Sequence, residues 1–357
     1  MLSQADFTPK VSKKEPDFRR WIIVHRMPFW IYIRIPRPYK EILKEVLFSV
    51  FPFLFSKRIE YKHWKHARVF AGKMYSVVTF SFWKKVWANG DTLISSRIPK
   101  EVNANPVKLR LGVAIHAFYP EILSEIILYL KKEHDLEYHL FVTCPPESEF
   151  EVRQILSSQM LPHTVYVYEN KGRDVLPFLK ILPDIQRQGF EYILKIHTKK
   201  SSHHINNAGW KKDIFEKLLA PGSIVKYTSL LHTIPEIGMI GPEGHILPMA
   251  MYYSNNAEKV SVLCRKMGLS SEDFPKLHFI AGTMFYAKME ALQPILDIKL
   301  QEEEFDIEDA QVDGTMAHAI ERAFGASCLK QDLWLVDTQS SSQLIHSKSV
   351  MNYKFSI

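Results

Sequence analysis

The stretch from Glu169 to Thr198, ENKGRDVLPFLKILPDIQRQGFEYILKIHT, constrains the fold most. It opens with a polar loop, Asn170-Lys171-Gly172-Arg173-Asp174. Val175, Phe178, Leu179 and Leu182 then fall on one face of a helix. Gly189 ends that helix. Tyr192-Ile193-Leu194 and Ile196 read as a buried strand, with His197-Thr198-Lys199-Lys200-Ser201 at its C-terminal end. A loop at a helix N-terminus and a loop at a strand's C-terminal end are the two places where an α/β sheet holds an anion. Here both are polar and basic, and one helix separates them.

The same alternation precedes this stretch. Leu109 to Ala117 and Tyr138 to Thr143 read as strands, and Thr164 to Tyr168 as a third. Helices are predicted over Pro120 to Lys132 and Glu147 to Ser158. Strands alternating with helices imply an α/β fold, a mostly parallel sheet flanked by helices. Beyond His197, helices are predicted near Trp210–Leu219, Gly222–His232 and Asn256–Met267, and a short strand at Ile237–Pro242. His278 to Ala287 reads as one strand with a small-residue interruption, Ala281-Gly282-Thr283, where a ligand or backbone can approach closely. Gln301 to Phe324 begins acidic and becomes a helix.

Charge divides the chain. Residues 1–110 carry 22 Lys/Arg against 8 Asp/Glu, and the rest 24 against 31. Within residues 21–88, aromatic residues such as Trp21, Trp30, Phe51, Phe53, Trp64 and Trp83 alternate with Arg26, Arg34, Lys57, Arg58 and Lys62. That mixture suits the interface of an anionic membrane and equally suits a small helical subdomain packed on the main core. The expected organisation is a basic, aromatic-rich helical region over 1–105, an α/β domain over 106–340 and a polar tail over 341–357. No run reaches the roughly 18 apolar residues of a membrane-spanning helix, and residues 1–14 are too polar for a secretory leader. The three cysteines lack disulfide or CxxC spacing and fit a reducing compartment. The expectation is a cytoplasmic protein, peripheral on the inner face of the plasma membrane. No nucleic-acid module is present, and nucleic acid is not an expected partner.

Several residues can carry chemistry. Lys171 and Arg173 can neutralise phosphate, Gly172 permits close approach, and Asp174 can cap a helix or accept a hydrogen bond from a sugar or base. His197, Lys199 and Lys200 end a central strand and favour a diphosphate. Each group can also be a solvated turn. Trp210 and Lys211 are placed to close over a ligand. Among the acidic residues near 302–313, Asp313 stands at the head of an apolar helix beside Gly314 and is the candidate general base, with Asp309 second. Gly282, Thr283 and His318 are candidates for an acceptor or sugar pocket. No histidine shows the HExxH spacing of a metal site.

The runs NKGRDVLPFL, KIHTKKS, FIAGTMFYA and VDGTMAHAIER, in that order, resemble the rhamnan synthesis protein F family, over about Leu109 to Asp337. The resemblance implies a GT-A-like domain and a glycosyltransferase of bacterial surface-polysaccharide (rhamnan or O-antigen) assembly. It implies an inverting rhamnosyltransferase using a nucleotide sugar such as dTDP-rhamnose, with a growing lipid-linked glycan as acceptor. GT-A enzymes carry an Asp-x-Asp metal motif where this chain reads His197-Thr198-Lys199. No cofactor is therefore expected, and dependence on a divalent metal is in question. Asp313 maps onto the base near the start of a late helix. A second reading is a non-catalytic, GT-like partner that binds glycan during synthesis or export.

Overall fold

The computed structural model describes residues 109–133, 136–198, 207–252, 256–270, 277–308 and 313–338, with 46–56 and the single residues 43, 61, 273 and 311. Lys199, Lys200, Asp309 and most of the 21–88 region lie outside the described residues.

The predicted alternation is present. Strand β1 (Arg110–His116) leads through helix α1 (Pro120–Leu130) to β2 (Glu137–Cys144), then through α2 (Glu149–Ser157) to β3 (His163–Val167). Helix α3 (Val175–Arg187) leads back to β4 (Tyr192–His197). Helices α4 (Asn207–Leu219) and α5 (Ser223–Thr233) precede β5 (Ile237–Gly241). A short hairpin-like pair follows, β6 (Ile246–Pro248) and β7 (His278–Ile280), separated by α6 (Met249–Tyr252) and α7 (Ala257–Lys266). Strand β8 (Phe285–Lys288), α8 (Met289–Asp297), α9 (Met316–Lys330) and β9 (Trp334–Asp337) complete the described elements.

The main sheet has seven strands in the order β3-β2-β1-β4-β8-β5-β9. Strand β8 is antiparallel to both β4 and β5, and the other pairings are parallel. The order reverses between β1 and β4, since the chain moves outward through β2 and β3 and returns to the other side of β1. Such a switch opens a crevice at the carboxyl ends of the two strands. Leu111↔Tyr192 through His116↔His197 fixes the β1–β4 register, so His116 and His197 stand side by side at that edge.

Alternation along the strands sends side chains to two cores. Helices α1, α2, α4 and α5 cover one face, against Val113, Ile115, Leu140, Val142, Leu194 and Ile196. Helices α3, α7, α8 and α9 cover the other, against Ala114, Phe141, Ile193, Met239 and Phe285. Burial on both faces explains why β4 reads as a continuous run rather than an alternating one.

The structure alters two expectations. The predicted strand over His278–Ala287 is two strands in two sheets, β7 and β8, because Gly282 and Thr283 both adopt positive φ and turn the chain between them. Strand β9 and helix α8 were not predicted. Strand β9 is short and half-buried at the sheet edge, and α8 begins directly where β8 ends.

Helix α9 packs closely against β7. A Cβ built on Gly325 would lie 1.9 Å from the His278 carbonyl oxygen, so the helix reaches its neighbour's backbone only because no side chain is there. Gly325→Ala should therefore destabilise the fold by about 1–3 kcal/mol, the usual cost of overpacking. Urea unfolding of wild type and variant measures it, and an unchanged midpoint would contradict this packing.

Candidate functional site

The C-terminal edge of β4 carries a charge in the interior. Lys195 is 1% exposed, in a strand whose six residues are all buried. It shares its sheet face with Ile193 and His197, and its Nζ donates to the Asp174 carboxylate at 2.5 Å and to the Thr283 carbonyl at 2.9 Å. The face of Phe178 lies 5.2 Å from the ammonium. Thr283 Oγ1 donates to the same Asp174 oxygen at 2.6 Å. Asp174 occupies the N-cap position of α3, but its side chain does not cap the helix. The carboxylate is spent on Lys195 and Thr283 instead.

Two turns meet over this pair. Gly172 and Arg173 have φ of 65° and 54°, and Gly282 and Thr283 have φ of 93° and 52°. A positive φ is costly for any residue with a Cβ and most of all for a β-branched one. Thr283 holds that backbone because its carbonyl is fixed by Lys195 and its hydroxyl by Asp174. The glycines have a different role from the ligand approach expected of them. A Cβ on Gly172 would lie 2.7 Å from a Phe305 ring carbon, and one on Gly282 2.6 Å from the Trp210 ring. The space at each turn is taken by a ring of the protein.

The two histidines at this edge are held by specific partners. His197 Nε2 faces the Gly282 carbonyl at 2.8 Å. A carbonyl only accepts, so this nitrogen carries the proton. His116 Nδ1 lies 3.0 Å from Thr143 Oγ1. Burial pushes the His116 imidazole down to about 4, and Lys195 and His197 push the same way against the pull of Asp174. Burial alone would raise the Asp174 carboxyl; Lys195 and His197, with the hydrogen bonds from Lys195 and Thr283, outweigh it and hold it well below the usual range.

The head of α9 closes the other side. Arg173 donates to Glu308 at 3.3 Å, to His318 Nε2 at 2.9 Å and to the Gln311 carbonyl. Because a guanidinium only donates, His318 Nε2 accepts, and Nδ1 is left to donate to Thr315 Oγ1 at 2.8 Å. Asp313 Oδ1 accepts from Asn256 at 2.6 Å and lies 3.6 Å from Arg322. Arg322 also donates to the Tyr252 and His318 carbonyls and lies 3.7 Å from Glu321, whose carboxylate accepts the Gly282 N–H at 2.7 Å. A continuous chain of contacts therefore links Asp313 through Arg322, Glu321 and Gly282 to His197.

Of the residues singled out in the sequence, Gly172, Arg173, Asp174, His197, Gly282, Thr283, Asp313 and His318 are thus brought together. Asn170 is exposed and Lys171 half-buried on the rim. Trp210 and Lys211 do not form a lid: Trp210 is buried against Gly282, and Lys211 pairs with Glu125 at 2.5 Å. The acidic stretch is partnered rather than merely solvated, with Glu302 on Lys180, Glu304 on Lys266 and Asp306 accepting the Met316 N–H and Lys259. Sequence reasoning missed Lys195. Its signal was a lysine flanked by Ile193, Leu194 and Ile196 inside a buried strand.

The recess lined by Ala114, His116, Thr143, Asp174, Phe178 and Lys195 leaves no room even for a water molecule, so it is no ligand pocket. It is a packed polar core beneath the crevice, below the rim formed by the two turns and α9. Among the described residues no group of three or more His, Cys, Asp or Glu is placed to hold a metal ion. Cys144, Cys264 and Cys328 are buried. Burial raises all three thiols, Cys144 to about 11 and Cys264 to about 12, which removes them as nucleophiles.

The chain was compared with known proteins. The family model described as Rhamnan synthesis protein F matches residues 77–333. An uncharacterized protein WxcX of Xanthomonas campestris pv. campestris, strain B100, is 30% identical over 243 residues, covering 68% of this chain. The WxcX of strain ATCC 33913 is similar to the same extent. The chain spans about a third of the length of these relatives, 35% of each.

Two outcomes follow from the buried groups. Lys195→Met leaves Asp174 enclosed without its cation and should cost about 3–5 kcal/mol, most of it recovered in Lys195→Met/Asp174→Asn. Urea unfolding of the three proteins decides this; a loss under about 1 kcal/mol would remove the pair from its structural role. The second concerns acid. His116 titrates near 4 when folded against 6.5 ordinarily, so the unfolded chain binds the proton first, and native stability falls as pH drops from about 6.5 to 4. His116→Gln should lose less stability than wild type across that window, and an identical pH dependence would refute the assignment.

Proposed function

The chain belongs to the rhamnan synthesis protein F family, and on that footing we propose that it is a glycosyltransferase of rhamnan-type surface-polysaccharide synthesis. The observation that carries the reading is the convergence of two positive-φ turns and the head of α9 over the switch point between β1 and β4, where an α/β sheet binds its ligand. The domain is read as GT-A-like. The donor is a nucleotide-activated sugar, dTDP-rhamnose by family analogy, and the acceptor is a growing lipid-linked glycan.

In this reading the acceptor hydroxyl gives its proton to the Asp313 carboxylate as its oxygen attacks the anomeric carbon. The bond from that carbon to the diphosphate breaks, the electron pair leaves with the diphosphate, and the configuration inverts. Asp313 suits the role by position, two residues before the α9 N-cap Thr315. Asn256 fixes its orientation, and Arg322 stabilises the charge it bears before the transfer. Growing charge on the leaving diphosphate is met by the basic segment His197–Lys200, and positive charge aimed at such a leaving group supplies much of this kind of catalysis. A divalent ion is not required in this scheme, because the strand end reads His197-Thr198-Lys199.

The alternative, a GT-like partner that binds glycan without turnover, is favoured by one observation. Arg173, a cation expected at the phosphates, is engaged by Glu308, His318 and Gln311. One experiment separates the two. Purified protein is assayed for sugar transfer and donor hydrolysis, with and without EDTA, beside Asp313→Asn. The enzyme reading expects activity that survives chelation and falls by about 10²- to 10⁴-fold in the variant with donor binding retained. Wild-type activity in Asp313→Asn would reject the base. Absence of any turnover by wild type, with glycan still bound, would establish the partner reading.

A further inference from the structure

Residues 46–56 expose five large apolar side chains. Residues 46–50 are helical, and Pro52–Phe55 forms one further helical turn. Two rings, Phe48 and Phe55, are each 1% exposed and pack on one another at 5.0 Å, with Tyr61 5.4 Å from Phe48. These anchor the segment. Val46 and Val50 lie one helical turn apart, and Phe51, Phe53 and Leu54 follow from the break in the helix at Phe51. The exposures of these five are 51%, 58%, 41%, 72% and 51%. Five large apolar side chains exposed within nine residues, with the Phe51 and Phe53 rings 6.5 Å apart, concentrate apolar surface of a kind that marks an interaction site.

The surrounding sequence identifies that partner's charge. Arg34, Arg37 and Lys40 precede the segment, and Lys57, Arg58, Lys62, Lys65 and Arg68 follow it. Residues 1–110 hold a balance of +14 in a chain whose remainder is −7. A second copy of this chain would bring the same basic flank against itself. An acyl surface bearing anionic headgroups matches both features, since rings and branched side chains enter the headgroup boundary while lysine and arginine meet the phosphates. Among the described residues no helix is long and apolar enough to cross a membrane, so the segment would lie along the surface. We propose that the exposed face Val46-Val50-Phe51-Phe53-Leu54 docks the protein on an anionic lipid surface. This holds whether or not the domain turns over a sugar.

The test is sedimentation of the full chain with vesicles of phosphatidylcholine alone and with phosphatidylglycerol added. Binding is expected on the anionic vesicles only. The triple variant Phe51→Ser/Phe53→Ser/Leu54→Ser should lose at least about tenfold in affinity, and Lys57→Glu or Arg58→Glu about fivefold each at low salt. Phe150→Ser/Ile307→Ser, which removes two exposed apolar residues elsewhere, should bind as wild type. Circular dichroism confirms that each variant folds. Equal binding to both vesicle types, no binding to either, or undiminished binding by the triple variant overturns the proposal. Self-association abolished by the triple variant, without vesicle binding, would assign the face to a second copy instead.

Discussion

The ion pair between Lys195 and Asp174 is the interaction on which the rest of the edge depends. An ammonium taken from water into a strand interior is costly unless its charge and its hydrogen bonds are met. Asp174, the Thr283 carbonyl and the Phe178 ring meet them here. Asp174 and Phe178 come from the start and body of α3, Thr283 from the turn between β7 and β8, and Lys195 itself from β4. The pair therefore joins three elements at one end of the sheet. Its geometry requires Asp174 to abandon the helix cap its position suggests, and it requires Thr283 to sit at positive φ.

The turns follow from that requirement. Gly172-Arg173 and Gly282-Thr283 each couple a glycine with a residue that pays for a left-handed backbone. Strain of this kind persists only where the surroundings over-determine it, and such places are frequently functional. Arg173 is held by three acceptors from the loop before α9 and its first turn, and Thr283 by Lys195 and Asp174. The same contacts that bear the strain also fix the distance between the two turns. A rim held this rigidly can orient a bound group without rearranging, which is the form preorganisation takes in a static fold.

Family membership and the fold address different questions. The sheet, with its order reversal between β1 and β4, opens a crevice at that edge. The chain belongs to the family described as rhamnan synthesis protein F, and the relatives it matches extend about three times its length. The edge of this domain brings together a carboxylate beside a guanidinium, histidines and a buried cation. All of these are groups that hold or steer protons and anionic oxygen.

The periodicity of apolar residues alone determined the alternation of β1 through β4 with α1 through α3, because side-chain spacing of two or of three to four is a local property of the chain. It also located both polar loops, since glycine, asparagine and charge interrupt those periods. It could not reveal what fills them. Gly172 reads as room for a ligand until Phe305, 133 positions away, is seen to occupy it. Asp174 reads as a cap until Lys195 crosses beneath it. The segment His278–Ala287 reads as one strand, and becomes two because Lys195 and Asp174 hold Thr283 where a strand cannot continue. Those outcomes rest on pairings between residues far apart in sequence, and a local pattern carries no record of which distant side chain will satisfy a buried charge or an empty space. Periodicity set the elements; tertiary packing decided which polar groups are spent on one another at the β1–β4 edge.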